Sequence, residues 1–351
     1  MKKILIYRPG ALGDTIVAVP TIQAIRQTYP QAALALMSIR MDTGIWADQV
    51  LREFGWFDEL ITYAPGGLRK PGAVGALCRR VRQFGADMVL HLSSEQNSPA
   101  RLLRDRAFFA LAGIPRFVGG APASVTWYGR RRTDDRLYPL EVDRLLAFAV
   151  EAAAAPDRPP VFDLPISDAA RARVDAVLDQ PAFEQGRMLI GLCPGSKQPA
   201  KRWPVERYGQ VGRRLIDAYD ASIVVVGGEQ ERVAGEQIGS AWPRGRWLNT
   251  AGGLSVLEMA ELLRRCVCYL GNDTGAMHVA AAVGTRCVGV FGAQYPEHSW
   301  HPYGDDHVVI RRRPPCRNCF LTECTRHATR CLTEISADEV WAACARLLVY
   351  D

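Results

Sequence analysis

One stretch constrains the fold of this chain more than any other. Residues 266–270 are a short apolar run, and 271–275 form a small polar turn. Residues 276–283 read as an alanine-rich helix, and 286–291 as a second apolar, β-branched run. A strand, a covering helix and a second strand make a βαβ crossover, which implies a parallel sheet. Asn272, Asp273 and Thr274 crowd the polar groups into the strand-to-helix turn. In open α/β sheets ligands bind at the carboxyl ends of the strands. A helix N-terminus there presents unpaired N–H groups and the positive end of a dipole, which suits phosphate. Asn272 or Asp273 is placed to cap the helix and Thr274 to offer a hydroxyl. An ordinary N-cap turn uses the same residues, so this turn alone does not define a site.

The same alternation runs along most of the chain. Apolar runs at 3–7, 33–37, 59–63 and 88–92 are separated by helical stretches, and 189–193 and 222–226 restart the pattern. Residues 13–28 read as helical, with Pro20 kinking that helix or lying in an early turn. Ser255 with Glu258, and Ser336 with Glu339, are capping-box signatures that open two later helices. Residues 151–160, with Pro156, Pro159 and Pro160, are the linker candidate. At 351 residues the chain is long for a single core. The expected organisation is therefore two α/β domains, 1–155 and 156–335, followed by a final amphipathic helix in 336–351.

Hydrophobic residues at 48% and charged residues at 23% describe an ordinary globular chain. No apolar run approaches the roughly 20 residues of a membrane span. Met1 to Tyr7 resembles the start of a signal peptide, but Arg8, Pro9 and Gly10 end the run. It reads as a first strand, and a cytoplasmic protein is expected. The net charge of +6 suits an anionic partner without choosing among phosphorylated substrate, membrane surface and nucleic acid. The basic residues form no long stripe interleaved with aromatics, so no nucleic-acid partner is expected.

Four further stretches carry residue types with chemical potential. The first strand ends in Gly10, Gly13 and Asp14, where glycines let backbone turn close to a ligand. Asp14 falls in the first turn of a helix, a position that favours Asp in any protein. Pro194, Gly195, Ser196 and Lys197 follow a strand, and Lys201, Arg202, Trp203 and Pro204 lead into a helix. Those three cations fit a phosphate clamp or a solvated basic loop. Neither the dinucleotide G-x-G-x-x-G fingerprint nor the G-x-x-x-x-G-K-[ST] phosphate loop is present. Gly227, Gly228, Glu229 and Glu231 follow the 222–226 strand, where a carboxylate either holds a ribose or opens the next helix. His278 lies one turn into the 275–283 helix, as a packed residue or as a donor to a phosphate oxygen.

These five stretches, in this order, resemble glycosyltransferase family 9, the ADP-heptose:lipopolysaccharide heptosyltransferases. The resemblance covers nearly the whole chain. It implies a GT-B fold of two Rossmann-like domains facing across a cleft, with the last helix returning to the N-terminal domain. It implies an inverting glycosyltransferase in which Asp14 is the general base and Lys201 stabilises the departing diphosphate. Gly195, Ser196, Glu229, Asp273, Thr274, Gly275 and His278 would bind an ADP-sugar, with Glu231 as the alternative to Glu229. Gly13 would meet the acceptor, an anionic glycan or lipid-linked core, while Arg130, Arg131 and Arg132, beside Trp127 and Tyr128, either meet it as well or form a solvated basic loop. No catalytic metal or other cofactor is implied, and peripheral contact with the inner membrane fits such an acceptor. A family member using another donor or acceptor, and a non-catalytic nucleotide-sugar-binding module, are the alternative readings.

Cys316, Cys319, Cys324 and Cys331, with His327 among them, lie within 16 residues. In a reducing compartment such density favours a metal over disulfides. Four thiolates suit tetrahedral zinc, or iron. The spacing is not that of a two-CxxC ribbon, and disulfides or free thiols remain the other readings. The expected role is structural.

Overall fold

The computed structural model describes residues 1–42, 44–93, 99–119, 138–154, 161–184 and 186–349. The chain divides into two units, Met1–Asp163 and Leu164–Asp351. The expected boundary at 155/156 lies eight residues earlier, in the proline-rich segment.

The first unit is a five-stranded parallel sheet. Its strands are β1 (Lys3–Tyr7), β2 (Ala33–Ile39), β3 (Glu59–Tyr63), β4 (Met88–His91) and β5 (Arg116–Gly119). They lie in the order β3-β2-β1-β4-β5. The helices between them are α1 (Leu12–Ile16), α2 (Val19–Thr28), α3 (Ala47–Leu51), α4 (Ala73–Phe84) and α5 (Pro99–Leu111), and α6 (Glu141–Glu151) follows β5. The single helix expected over 13–28 is two. Pro20 sits at the second position of α2, where its missing N–H would have no partner in any case.

The second unit opens with α7 (Asp168–Leu178). Its six parallel strands are β6 (Leu189–Cys193), β7 (Ser222–Val225), β8 (Trp247–Asn249), β9 (Cys268–Asn272), β10 (Arg286–Phe291) and β11 (Val308–Arg311). The helices are α8 (Val205–Tyr219), α9 (Glu229–Gly239), α10 (Val256–Arg264), α11 (Gly275–Ala282), α12 (Arg330–Thr333) and α13 (Ala337–Val349). The strand order is β11-β10-β9-β6-β7-β8. Read from the β8 edge it repeats the order of the first sheet with one strand added. Both sheets therefore reverse direction beside their first strand, between β1 and β4 and between β6 and β9. Such a switch point opens a crevice at the carboxyl ends of the two strands.

The strands read as continuous apolar runs because helices cover both faces. Ile4, Leu5 and Ile6 in β1, and Ile223, Val224 and Val225 in β7, are fully buried. The last helix packs within the second unit. α13 buries Val340, Ala343, Cys344, Leu347 and Leu348 in the core of the second unit, beside Trp203, Tyr208 and Leu270. Its contacts are with α8, β9 and β10. No helix among the described residues is long and apolar enough to cross a membrane.

Candidate active site

In the first unit the turn after β1 is built around an arginine and an aspartate. Asp14 is the third residue of α1, and its Oδ2 accepts the backbone N–H of Ala11 at 3.1 Å. Its Oδ1 lies 3.6 Å from the Arg8 guanidinium. Arg8 is fully buried, whereas the Asp14 side chain keeps 28% of its exposure. Arg8 also donates to the carbonyls of Asp14 and Leu92, so it ties the turn to the end of β4. Burial pulls the Arg8 guanidinium below its ordinary range, while Asp14 and Glu141 oppose that shift. The carboxylate thus has one oxygen fixed by a backbone donor and one beside a cation, yet it still reaches solvent. A Cβ at position 10 would press against Cγ of Asp14 at 2.9 Å, so glycine is the residue that lets this turn close. Gly13 precedes Asp14 in the same helical turn. Arg130 and its aromatic neighbours lie outside the described residues.

In the second unit three loops meet at the carboxyl ends of β6 and β9. Lys201 ends a short 3-10 turn, and its ammonium sits 2.6 Å from Oδ2 of Asp273. Both side chains are largely buried. The same ammonium lies over the ring of Tyr295, 4.6 Å from its centroid. Asp273 and Thr274 directly precede α11, and Thr274 is its N-cap with no side-chain cap bond. The first N–H groups of α11 therefore face the loop without a side-chain acceptor from the cap. The arrangement is a shielded lysine beside a helix N-terminus, which together favour a diphosphate.

Asn272 is the last residue of β9 rather than part of the turn, and it caps nothing. Its Nδ2 donates to the carbonyls of Pro194 and Gly195 at 2.9 and 3.0 Å. Its Oδ1 accepts the Trp203 N–H at 3.0 Å. A fully buried amide thus joins the loop after β6 to the segment that carries Lys201. Trp203 itself is core: its indole N–H donates to the Ile335 carbonyl and its ring meets Tyr208 edge-on. Ser196 is buried, and its carbonyl accepts Arg202 Nε at 2.8 Å.

The two carboxylates after β7 have separate positions. Glu231 takes the Gly228 N–H at 2.9 Å, as a capping box requires. It lies against Gly195, where a Cβ would overlap its carboxyl group. Burial raises its affinity for a proton, with the Gly228 N–H and Arg202 acting against that. Glu229 points outward, 72% exposed, and pairs with Arg232 at 3.1 Å. It borders Gly252, where the positive φ of 76° needs glycine. His278 is buried in α11 with its ring edge-on to Trp300.

Sequence reasoning missed Arg8, Tyr295, Trp300 and His301. Arg8 carried a signal, a cation ending an apolar strand immediately before Pro-Gly. Tyr295, Trp300 and His301 lie in a stretch with no periodicity, and only the fold brings them to Lys201, His278 and Asp273.

None of the four clustered cysteines, nor any other of the ten, is in a disulfide. Cys324 is held below the usual thiol range by backbone N–H groups of Thr329, His327 and Arg326. Burial pushes Cys331 up, and the other three cysteines add to that. Among the described residues no group of three or more His, Cys, Asp or Glu is arranged to hold a metal ion. The loop abuts the lysine segment, with the Ala200 N–H donating to the Thr322 carbonyl at 3.0 Å.

Residues 74–329 match the model of glycosyltransferase family 9 (heptosyltransferase). The chain belongs to glycosyltransferase family 9. It is a glycosyltransferase, and its two Rossmann-like units carry the GT-B architecture. It is 32% identical over 323 residues to lipooligosaccharide heptosyltransferase 2 of Haemophilus influenzae, covering 88% of each chain. It is 27% identical over 312 residues to lipopolysaccharide heptosyltransferase 2 of Escherichia coli, covering 84% of each. The solved Escherichia coli ADP-heptose lps heptosyltransferase II has the same fold, with a TM-score of 0.71 at 24% identity and 99% coverage of both chains.

Proposed function

We propose that this family 9 enzyme transfers heptose from ADP-heptose to a lipopolysaccharide-core acceptor, with inversion and without a catalytic metal. The observation that carries the reading is the Lys201–Asp273 pair at the N-terminus of α11. It sits on the switch point of the second sheet, where a nucleotide diphosphate is best served. The names of the relatives at 27% and 32% identity support heptose and a lipopolysaccharide acceptor.

In this mechanism a carboxylate oxygen of Asp14 takes the proton of an acceptor hydroxyl. The freed oxygen pair forms the new bond to the anomeric carbon. The bond from that carbon to the phosphate oxygen breaks on the opposite face, and ADP leaves with its electron pair. Arg8 and the Ala11 N–H hold the carboxylate in one orientation. Lys201 and the N–H groups at Thr274 and Gly275 meet the charge that develops on the diphosphate, the role a metal plays elsewhere. Asp273 orients the lysine. Gly195 and Ser196 line the phosphate side through backbone, and the exposed Glu229 reaches the adenosine by leaving its Arg232 partner. Glu231 is already engaged in capping. His278 backs the turn through its contact with Trp300. Gly13 and Arg130 belong to the acceptor side. The cysteine loop takes no part in the chemistry. Zinc or iron bound there as a structural ion would appear as about one equivalent per chain by elemental analysis and vanish in Cys316→Ser/Cys319→Ser.

The test is ADP release and heptose transfer with ADP-heptose against UDP- and GDP-sugars, with and without EDTA. Transfer is expected with the ADP-sugar, unaffected by EDTA. Asp14→Asn is expected to lower turnover by about 10²–10⁴-fold while ADP binding stays unchanged. Turnover that needs added metal, or an Asp14→Asn enzyme of ordinary rate, would overturn the mechanism.

A further inference from the structure

Two buried guanidinium groups meet at the switch point of the first sheet, and the mechanism above uses one of them. Arg8 follows β1 and donates to the carbonyl of Leu92, just past β4. Arg144, on α6, donates to the carbonyl of the next residue, Ser93, at 2.7 Å. Two arginines from separate elements therefore hold consecutive carbonyls of one loop. Arg144 is also clasped by Glu141, one helical turn earlier, with Nε at 2.6 Å from Oε2 and Nη2 at 2.7 Å from Oε1. The Glu141 side chain is 1% exposed and that of Arg144 13%. The Arg144 guanidinium lies 5.3 Å from the centroid of the Phe148 ring, which supports it from a second side.

Glutamate is common in the first turn of a helix, where the dipole favours it, but it normally faces water there. Glu141 opens α6 and yet is buried. A buried ion pair contributes little beyond two apolar side chains of the same volume, because desolvation consumes the attraction. Packing therefore does not explain this pair, and its charge does. The cluster sets Arg8 and Arg144 against Asp14 and Glu141, two charges of each sign. Burial works against the Arg8 cation, Asp14 and then Glu141 support it, and Arg144 opposes it, so the four groups feel one another. The neighbouring elements bring further ionisable groups in mutual pairs. Asp48 of α3 is 3.2 Å from Arg40, and His91 of β4 is 3.2 Å from Asp105, itself paired with Arg104. Asp143 of α6 is exposed.

We propose that Glu141 is a positioning residue for the reaction: by clasping Arg144 it balances the second cation, and so lets Arg8 orient Asp14 without weakening it as a base. The inference rests on the reading of Asp14 as the base. Glu141 acts through Arg144 and Arg8 rather than on the reacting atoms. Without its charge, two cations would face one carboxylate. Asp14 would then give up its proton at a lower pH and would accept the proton of the acceptor hydroxyl less readily.

The test is the pH profile of kcat/KM for sugar transfer by the full-length protein, with the melting temperature as the control for folding. Glu141→Gln should move the acidic limb down by about one pH unit, an ordinary effect of one nearby charge. Its kcat should fall about threefold to tenfold as the base weakens, with KM for the ADP-sugar unchanged. Glu141→Asp keeps the charge and should bring the limb back toward its wild-type position. Arg144→Gln should move the limb the opposite way, up. Glu141→Gln/Arg144→Gln removes one charge of each sign, so its limb should return although more contacts are lost. A merely structural Glu141 would leave the limb in place and make the double variant worse than either single one. A limb unmoved in Glu141→Gln, or shifts of the same sign in the two single variants, would overturn the inference. If Glu141→Gln does not fold, Arg144→Gln and the double variant decide, with the limb raised in the first and restored in the second. Asp14→Asn is measured alongside. If it loses turnover while the limb of Glu141→Gln stays put, this inference alone fails. If it turns over at the ordinary rate, the base assignment fails and this inference with it.

Discussion

At the residue scale, the candidate site residues that sequence could place are those defined by local chemistry. Asp14, Lys201, Asp273 and Thr274 stand beside strand ends and helix starts, and a reader of the sequence can place them there. Their partners are set by long-range contact. Arg8 meets Asp14 because the turn folds back over β1, and Asn272 joins two loops more than 60 positions away. Asn272 illustrates the limit well. It looks like a cap, but β9 runs two residues further than the apolar pattern indicates, and the amide becomes a cross-link. Asn272→Ala should therefore cost about 2–4 kcal/mol by leaving buried backbone groups unpaired, read from urea denaturation, and it should weaken ADP binding through a displaced Lys201. His301 gives a pH prediction. Burial, with His298 and Arg311 nearby, holds its imidazole down to about 4, against the opposing pull of Glu297 and Asp273. The unfolded chain binds this proton near pH 6.5, so stability is complete above that pH and falls as the pH drops toward 4. The loss is at most about 3 kcal/mol. His301→Gln should flatten that limb in a pH series of denaturation midpoints. An unchanged slope would mean that other groups carry it.

At the element scale, the strands and the capped helices were legible because their signals are periodic or chemical. Ser255 accepts the Glu258 N–H while Glu258 returns to the Ser255 N–H, as the pattern predicts. Ser336 and Glu339 do the same at α13. Where α13 packs was not legible, since an amphipathic face states that a partner exists and not which one. Its seat on α8, β9 and β10 makes it part of the core of the second unit. Leu347→Ala should cost about 2–5 kcal/mol and should raise hydrogen exchange in β9 and β10 while leaving β1 and β4 unchanged. Exchange that rises instead in the first sheet would relocate the helix.

At the scale of the whole molecule, alternation of strand and helix gave the class of fold, and the two-domain length gave the number of units. Strand order was not readable, because a parallel crossover can skip neighbours without changing the sequence pattern. With the order known, the two sheets place the turns that carry Asp14 and Asp273 at equivalent switch points. If the second unit holds the donor, ADP should slow hydrogen exchange in 194–203, 271–278 and 293–301 and leave 8–14 as it was. Protection confined to 8–14 would reverse the assignment of the units. The equivalence extends to a steric detail. In each unit the turn after the first strand contains a glycine pressed against a carboxylate that caps its own helix, Gly10 on Asp14 and Gly195 on Glu231. Saturation mutagenesis of the two turns should find these glycines as intolerant as Lys201, although neither has a side chain to offer a substrate. Heredity would then preserve both for the shape of the opening they leave, and a catalogue of inherited variants would mark the outline of the two sites before any ligand is known.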